Sequence, residues 1–256
     1  EFDTSDGSAM PPQALAWCGE DSVLLHWKKK GVLMVGPLGD YVQFPFDDDS
    51  LHLMAEMDCC RVISDTSIQI LQRVPKETTS LLCIGSIDEA ALLVDAADAF
   101  AAGSPSSEET ARAIEESGKL SAAMESCLEA ALREFDIDSQ KRLLRATSYG
   151  MHFQYRDDEN AVLGGPVDGD EVDNPRVRPN GTARNFVEAA RKLRILNALR
   201  NPSVGIVVTA AQYDSMTAIG VVARLIAVKK AALASSISAY LGLPRLVQLH
   251  VRAARA

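Results

Sequence analysis

Apolar residues in the first third of the chain recur at alternate positions and are interrupted by clusters of turn residues. This period of two is typical of strands whose two faces differ in burial. Short strands at nearly regular spacing indicate an antiparallel meander, the unit of a β-sandwich or of a propeller blade. If the strands form blades of ~40 to 45 residues, about one and a half blades are present. The predicted strands are Gln13–Cys18, Ser22–Trp27, Gly31–Val35, Tyr41–Phe46, Leu51–Ala55, Arg61–Ser64 and Ile68–Val74.

The pattern changes at Pro75–Thr79, where helical spacing replaces the period of two. From Ser86 onward, apolar residues recur three and four positions apart, which predicts a series of short amphipathic helices. Short helices that are joined by short loops and lack strong self-similarity are typical of an irregular solenoid of stacked helical pairs. The expected helices are Glu89–Phe100, one opened by Ser106 and ended by Gly118, Leu120–Phe135, Gln140–Tyr149, Arg184–Pro202, a turn at Thr209–Gln212, Ala218–Val228, Ala231–Leu241 and a last helix from Arg245.

Local signals are expected to set the ends of several of these helices. Ser86 and Glu89 have the spacing of a capping box at the start of the helix that follows. Asp138 is expected to cap the helix that begins at Gln140, and Gly150 is expected to end it. We therefore expect a break in the helical region after Gly150.

The clearest amphipathic helix is predicted for Arg184–Pro202, and the helices around it must bury its apolar face. Asn185 and Glu188 are compatible with a capping box, and Glu188 with Lys192 forms a favourable pair four residues apart. The apolar face is formed by Phe186, Ala190, Leu193, Leu196 and Leu199. The basic edge of the helix, formed by Arg191, Arg194 and Arg200, is interpreted as a solvated face rather than a site for an acidic partner.

An acidic stretch rich in glycine and proline separates this helix from the preceding ones. Residues 157–181 show no period and contain too few apolar residues to order themselves, so we expect a disordered insertion. Asp168, Asp170 and Asp173 lack the alternation and the terminal glutamate of an EF-hand loop. A calcium site is therefore not expected here.

The composition describes a folded chain with an acidic surface. Hydrophobic residues make up 47% of the 256 residues, and the formal net charge is -9, with an isoelectric point near 5.0. A nucleic-acid-binding protein would carry a basic patch that follows the phosphate backbone, so the charge argues against this class. The basic run Lys28–Lys30 stands between two predicted strands and is interpreted as a solvated turn.

Targeting signals and cysteines are consistent with a cytosolic protein. No apolar run approaches the ~20 residues that span a bilayer, and no signal peptide opens the chain. The chain opens at Glu1 rather than at an initiator methionine, and we interpret it as a fragment of a longer product. The odd cysteine count and the absence of a C-x-x-C pair favour reduced, buried thiols. These thiols are Cys18, Cys59, Cys60, Cys83 and Cys127.

No known catalytic or cofactor-binding motif occurs in the sequence. The phosphate loop, the dinucleotide-binding glycine pattern, the nucleophile elbow and the H-E-x-x-H helix are all missing. Cys59 and Cys60 lie near His52, but adjacent strand residues point to opposite faces and cannot easily share one ion. We therefore expect no enzyme activity, no cofactor and no metal, and no partner-binding residue can be assigned. The four histidines, expected to be ordinary surface or core residues, are His26, His52, His152 and His250.

Several short stretches resemble the family of vacuolar protein sorting-associated protein 16, the class C core subunit of the HOPS and CORVET tethering complexes. Their order along the chain makes the resemblance more specific than any one of them. The stretches are Met10–Pro12, Trp17–Cys18, Thr66–Ile68, Leu71–Pro75, Ile84–Ser86, Glu125–Cys127, Glu129–Ala131, Leu143–Ala146, Ser148–Gly150, Leu193–Arg200 and Tyr240–Gly242.

The resemblance implies a β + α fold class: antiparallel strands from the end of a β-propeller, followed by an irregular α-solenoid of stacked helical pairs. It implies a partial β-propeller over residues 13–75 and the start of the solenoid over residues 80–256. Residues 1–12 would be a disordered or residual flank. The family usually has Asp-Gly-Val-Arg where this chain has Asp58–Arg61, and this departure leaves the tightness of the turn there open.

The resemblance also implies a function. It indicates a non-enzymatic scaffold that supports endosome-to-vacuole trafficking and membrane fusion, cytoplasmic and peripheral on endosome and vacuole or lysosome membranes. The implied partners are the other class C tethering subunits, with SNAREs and Rab GTPases engaged indirectly. The site for the Sec1/Munc18-type subunit is expected beyond Ala256. The alternative is a helical-repeat adaptor or coat component of another vesicle-trafficking complex.

Overall fold

The chain divides into two compact units, Glu1–Val74 and Pro75–Ala256. The computed structural model describes residues 11–28, 30–46, 50–162 and 181–255. Four predicted features lie partly or wholly outside the described residues. These are the flank at residues 1–12, the turns that contain Lys29 and Asp47–Asp49, and residues 163–180 of the predicted insertion.

All seven predicted strands form, with ends that differ by at most a few residues. The first four pair as an antiparallel sheet in the order β1-β2-β3-β4, and the last three pair as a second antiparallel sheet in the order β5-β6-β7. Each strand therefore pairs with its neighbour in sequence, as the prediction of a meander requires. The strands are β1 (Ala14–Cys18), β2 (Ser22–Trp27), β3 (Gly31–Val35), β4 (Tyr41–Phe44), β5 (His52–Ala55), β6 (Cys60–Ile63) and β7 (Ile68–Leu71).

The two sheets share one hydrophobic core. Buried residues of the first sheet, including Leu24 and Val32, pack with Val62 of the second sheet. The alternation of buried and exposed positions along β1 and β6 explains why the sequence pattern had a period of two. The core of this unit is therefore formed between the facing sides of the two sheets.

The turn between β5 and β6 is tight, although the sequence departs there from the glycine of the family. The backbone N–H of Glu56 donates to the carbonyl oxygen of Cys59 at 2.9 Å. Arg61 donates to both carboxylate oxygens of Glu56, at 2.7 and 3.1 Å, which fastens the start of the turn to the next strand. Cys59 itself is fully buried. A bidentate ion pair and a backbone hydrogen bond thus hold the turn, whose tightness the sequence alone left open.

His26 in β2 is a buried polar residue, and neither of its ring nitrogens has a hydrogen-bond partner among the residues that the structure describes. It is 2% exposed, and burial lowers its pKa below the ordinary value of 6.5 because the charged imidazolium is poorly solvated there. The unfolded chain therefore binds the proton more readily than the folded chain. The neutral His26 therefore supports the folded state fully above pH 6.5, the pKa of the unfolded chain. This part of the free energy of unfolding is lost as the pH falls through the pKa of the folded chain.

We expect His26→Leu to remove this part of the pH dependence and to leave stability at pH 7.5 unchanged or higher, because an unsatisfied polar group is replaced by an apolar one. The measurement is urea unfolding at pH 7.5 and pH 5.5, followed by tryptophan fluorescence. Both tryptophans of the chain, Trp17 and Trp27, lie in this unit, so the signal reports it alone. The exposed His52 gives the control, His52→Leu. An equal loss of stability at pH 5.5 in wild type and His26→Leu would contradict the expectation.

The described residues of the second unit form nine helices. The coarse prediction, antiparallel strands followed by helices, is therefore confirmed. At Pro75–Thr79, where the sequence pattern predicted the boundary between strands and helices, a short helix begins that the pattern did not predict. The helices are α1 (Lys76–Leu82), α2 (Glu89–Ala101), α3 (Ser107–Glu116), α4 (Leu120–Arg133), α5 (Ile137–Val162), α6 (Gly181–Arg200), α7 (Ala210–Ala227), α8 (Ala231–Tyr240) and α9 (Arg245–Arg255).

Two helix caps differ from their predictions. Asp88, rather than Ser86, caps α2, since its carboxylate accepts a hydrogen bond from the N–H of Ala90 at 2.9 Å. Asp136, rather than Asp138, caps α5 by accepting from the N–H of Ser139 at 2.7 Å. Aspartate at the first non-helical position reaches the second or third N–H of the helix as well as serine does. Sequence spacing alone did not distinguish between neighbouring candidates.

Gly150 does not end α5, which continues to Val162. A Cβ at position 150 would lie 2.9 Å from the Cγ and Sδ atoms of Met124 in α4 and 3.3 Å from Leu93 in α2. The glycine therefore allows the three helices to approach closely, and its presence reflects packing rather than termination. As a consequence, residues 157–162, assigned to the insertion by the sequence analysis, belong to the helical backbone of α5.

The boundary within α7 agrees with the prediction. The side chain of Thr209 accepts a hydrogen bond from the N–H of Gln212 at 3.1 Å, and the N–H of Thr209 donates to the Oε1 atom of Gln212 at 3.3 Å, which completes a capping box. Thr217 then interrupts the helix with φ 62° and ψ 162°. This conformation is strained for a β-branched residue. The sequence had placed the start of a new helix at this threonine.

Candidate functional site

The histidine, cysteine and carboxylate side chains that the structure describes lie apart from one another. No three histidine, cysteine, aspartate or glutamate side chains among them lie close enough to hold a metal ion. His26 lies in the core, whereas His52, His152 and His250 are exposed at separate places.

The cysteines are all free thiols, and four of them are buried. Burial raises the pKa of Cys60 to about 11 and that of Cys127 to about 12, so both stay protonated at neutral pH. Cys83 is the exception to the expectation of buried thiols, because it is exposed in the loop after α1. Buried protonated thiols act as small apolar side chains rather than as nucleophiles.

Helix α6 connects two hydrophobic cores of the helical unit. Leu193 packs into the first core, which is formed with α1 to α5. One turn later, Leu196 and Leu199 pack into the second core, which is formed with α7 to α9. One helix thus supplies side chains to both cores, and the two groups of helices cannot separate without exposing it.

A polar cluster lies where α6 passes the start of α5. Gln140 donates to the Oδ1 atom of Asn197 at 3.2 Å, and Asn197 donates back to the Oε1 atom of Gln140 at 2.7 Å. Gln140 also donates to the carbonyl oxygen of Glu134 at 2.9 Å, just beyond the end of α4. Three helices therefore meet at reciprocal amide hydrogen bonds, which fix their relative register.

Arg200, the last residue of α6, completes this arrangement. Its Nε atom donates to the carbonyl oxygen of Val208 and its Nη1 atom donates to that of Glu134, both at 3.1 Å. Its guanidinium lies over the ring of Phe135, 3.8 Å from the centroid. Burial lowers the pKa of Arg200 to about 10, which still leaves the group charged at neutral pH.

We name this arrangement the α6 joint, formed by Glu134, Phe135, Gln140, Asn197, Arg200 and Val208. It connects the end of α4, the start of α5, the end of α6 and the segment that leads into α7. It is the candidate functional element of the helical unit, because its contacts hold four segments of that unit together.

The predicted basic edge of α6 is only partly a solvated face. Arg191 is exposed, and Arg194 donates to the hydroxyl of Tyr240 at 3.1 Å. Arg200 is instead held inside the α6 joint. One sequence signal could have indicated this difference, because an arginine at a helix end, followed by Asn201 and a proline, lies near carbonyl groups that need donors.

The start of α6 also differs from the prediction. The helix begins at Gly181, so Asn185 lies within it and does not cap it. Glu188 pairs with Arg184 at 3.1 Å, while Lys192 pairs with Asp214 of α7. The extra turn of helix changed the partners that charge spacing alone had predicted.

The helical unit also contains a surface pocket. A pocket of about 440 Å³ lies between the end of α6 and the start of α8, where Lys230 donates to the carbonyl oxygen of Ser203 at 2.6 Å. Across residues 11–28, 30–46, 50–162 and 181–255, every helix is too short or too polar to cross a bilayer.

Comparison with known proteins identifies the family. Residues 1–162 match the family model described as "Vps16, N-terminal region". The chain belongs to this Vps16 family. The match covers the strand unit and α1 to α5 and ends where α5 ends. The resemblance found in the sequence is thereby confirmed.

Relatives of the Vps16 family extend the similarity over most of the chain. Protein VACUOLELESS1 of Arabidopsis thaliana is 41% identical over 246 residues, which are 96% of this chain and 25% of the relative. The vacuolar protein sorting-associated protein 16 homolog of Dictyostelium discoideum is 32% identical over 93% of the chain and 26% of the relative. The Saccharomyces cerevisiae protein of that name is 30% identical over 84% of the chain and 23% of the relative. The chain thus spans about a quarter of these relatives.

Proposed function

We propose that this chain is a structural segment of a non-enzymatic scaffold subunit in a membrane-tethering complex of the class C type. The observation that carries the proposal is the match of residues 1–162 to the amino-terminal region of Vps16. Relatives named for vacuolar protein sorting, which align with 93% and 84% of the chain, support a role in vacuolar trafficking. Buried, protonated thiols and separately placed histidines agree with a scaffold rather than an enzyme.

The strand unit is proposed to be part of a β-propeller. Its first sheet is a four-stranded meander like that of a blade, and β5 to β7 would supply three strands of the next blade. The interval from Ala14 to His52 is close to the ~40 to 45 residues that a blade occupies. Packing of the two sheets on a shared core agrees with neighbouring blades.

The outer side of the first sheet supports the same proposal. Leu15 and Trp17 of β1 point away from the shared core and are exposed. They lie opposite Leu25 and Val23 of β2, so the apolar side chains continue across the sheet. An apolar second face is expected of a sheet that packs against a neighbour on both sides, as each blade of a propeller does.

The helical unit is proposed to begin an α-solenoid. Its helices pack mainly with helices nearby in sequence, and two successive cores share α6. Such an arrangement, in which each group of helices contacts its neighbours, is typical of solenoids. In this proposal the α6 joint sets the angle between successive groups, and thereby the course of the surface that other subunits bind.

The proposed partners are the other class C tethering subunits, with a Sec1/Munc18-type subunit bound elsewhere in the longer protein and SNAREs and Rab GTPases engaged through the complex. The proposed location is cytoplasmic and peripheral on endosome and vacuole or lysosome membranes. A long helical surface suits this role, because it offers contact area to several partners without requiring a ligand pocket.

The test is affinity isolation of the tagged full-length gene product from its own cells at moderate salt, followed by mass spectrometry. Recovery of the class C subunits together with the Sec1/Munc18-type protein is the expected result. Recovery of coat or adaptor subunits instead would overturn the tethering proposal and favour the alternative of a vesicle coat component. A tag on an unrelated cytosolic protein of similar abundance is the control for non-specific binding.

A further inference from the structure

Helix α7 is bent at Thr217, and the bend contains a strained backbone. The φ of 62° and ψ of 162° at this residue form a combination that is adopted almost only by glycine. A threonine keeps it only where surrounding contacts hold it, because its branched Cβ crowds the backbone. The bend divides α7 into a first arm, residues 210–216, and a second arm, residues 218–227.

The bend allows the apolar sides of both arms to face the same core. In an unbroken helix at 100° per residue, these two sides would point roughly 150° apart. No proline lies within α7, so tertiary packing rather than a local helix breaker imposes the bend and its strain. The residues that pack on the second core are Ala210, Tyr213 and Met216 of the first arm and Val221, Val222, Leu225 and Ile226 of the second arm.

The two arms are held to that core to different extents. Val221, Val222 and Leu225 of the second arm are at most 2% exposed, whereas none of residues 210–217 is buried. A helix of about two turns does not persist in water without tertiary contacts. Its ends are nevertheless anchored, since the buried Val208 lies shortly before the first arm and the second arm follows it. The first arm is therefore a weakly held segment between two firmly held ones.

Lys192 of α6 fastens the first arm to α6. Its ammonium pairs with the carboxylate of Asp214 and lies 5.9 Å from the centroid of the Tyr213 ring. The Lys192 side chain is 16% exposed, so water and salt screen these contacts less than they screen a fully exposed pair. Replacing this one side chain removes both contacts.

We propose that residues 210–217, named the α7 strap, open and close locally while the segments on both sides stay folded. In the open state the helical turns of the strap are unfolded, and Tyr213 and Met216 leave the second core. Thr217 then adopts an ordinary backbone conformation, so its strain burdens the closed state alone and favours opening. The inference concerns the helical unit itself and goes beyond the proposed scaffold function.

The position of the strap gives its opening a consequence for the shape of the helical unit. Val208, shortly before the strap, accepts a hydrogen bond from Arg200 in the α6 joint. The closed strap therefore connects the α6 joint to the second arm through a rigid helical segment. When the strap opens, only the packing of the second core sets the direction of the second arm relative to α6. The unit can thus adjust its shape without unfolding either core.

The first experiment is hydrogen exchange of the full-length protein, with mass spectrometry to measure exchange at the amides of residues 213–216 and of residues 222–227. The strap amides are expected to exchange at least about tenfold faster, because they open without global unfolding. Dilute urea is expected to leave strap exchange nearly unchanged, since opening of a short segment exposes little surface. Equal exchange in the two arms, with equal dependence on urea, would overturn the inference.

The second experiment uses two variants that should change strap exchange in opposite directions. Lys192→Gln removes the ion pair and the ring contact, so strap exchange is expected to become about 3- to 30-fold faster. Thr217→Gly relieves the strain of the closed state and is expected to slow strap exchange by about 2- to 30-fold. The freedom that glycine adds to the open state offsets part of that relief.

The matched control is Arg191→Gln, which removes the same charge from the exposed neighbour of Lys192. It is expected to change strap exchange by less than about twofold, because exposed substitutions away from specific contacts have small effects. Strap exchange that is unchanged in Lys192→Gln or in Thr217→Gly would contradict the proposal. The same holds if either variant changes exchange in residues 222–227 as much as in the strap, since the effect would then be global.

Discussion

Arg200→Ala is expected to lower the free energy of unfolding of the helical unit by about 2–4 kcal/mol. The substitution removes two hydrogen bonds from a charged donor and the contact with the ring of Phe135. It leaves the carbonyl oxygen of Val208 without this donor, whereas that of Glu134 keeps the hydrogen bond from Gln140. Release of a poorly solvated charge offsets part of the loss, which is why the expected value is below the sum of the contacts.

The measurement is urea unfolding of the chain followed by circular dichroism at 222 nm, since the helices dominate that signal. Arg200→Lys keeps the charge but cannot reach both carbonyl groups with one planar fork, so most of the loss is expected to remain. Arg191→Ala removes an exposed arginine from the same helix and is expected to change stability by less than about 0.5 kcal/mol. Equal effects of Arg200→Ala and Arg191→Ala would show that the α6 joint does not stabilise the unit.

The strand unit could be predicted closely from the sequence because its signals are local. Turn residues bound each strand, and alternation separates the core side of the sheet from the other side, as in β1, where Ala16 and Cys18 are buried and Trp17 is exposed. The pairing order then follows from the short connections, since neighbouring strands joined by tight turns pair antiparallel. The packing of the two sheets on each other required the structure.

The helix ends were predicted less well because several residues in sequence compete to cap a helix. Glycine commonly ends a helix, so Gly150 was expected to end α5. Only the position of Met124 shows that Gly150 instead allows α4 and α5 to pack closely. Similarly, Phe135 continued the apolar spacing of α4, yet the helix ends at Arg133 and the ring supports a guanidinium from α6. Long-range packing decided both cases, and no local pattern encodes it.

The α6 joint illustrates the same limit for the candidate site. The sequence identified the helix around Leu193 and Leu196 as the central one, because amphipathic periodicity is a strong local signal. It could not reveal that Gln140 and Asn197, 57 residues apart, exchange hydrogen bonds. Functional elements made of contacts between distant segments, rather than of a motif, are therefore the part of this chain that required a structure.

Leu196→Ala and Leu193→Ala, compared with each other, test whether α6 makes the two cores one cooperative unit. Leu196 is fully buried in the second core and Leu193 is buried in the first. Each truncation is expected to cost about 2–5 kcal/mol, because it removes buried methyl groups and leaves a cavity.

If α6 joins the cores, each variant shifts one single transition at 222 nm to lower urea, whichever core is damaged. If the cores unfold independently, each variant splits the curve, because only the helices of the damaged core melt early. Val187→Ala, an exposed truncation on the same helix, is expected to cost less than about 0.5 kcal/mol and controls for helix propensity. A single shifted transition in both leucine variants is the expected outcome, because a helix shared by two cores cannot unfold on one side without exposing leucines of the other.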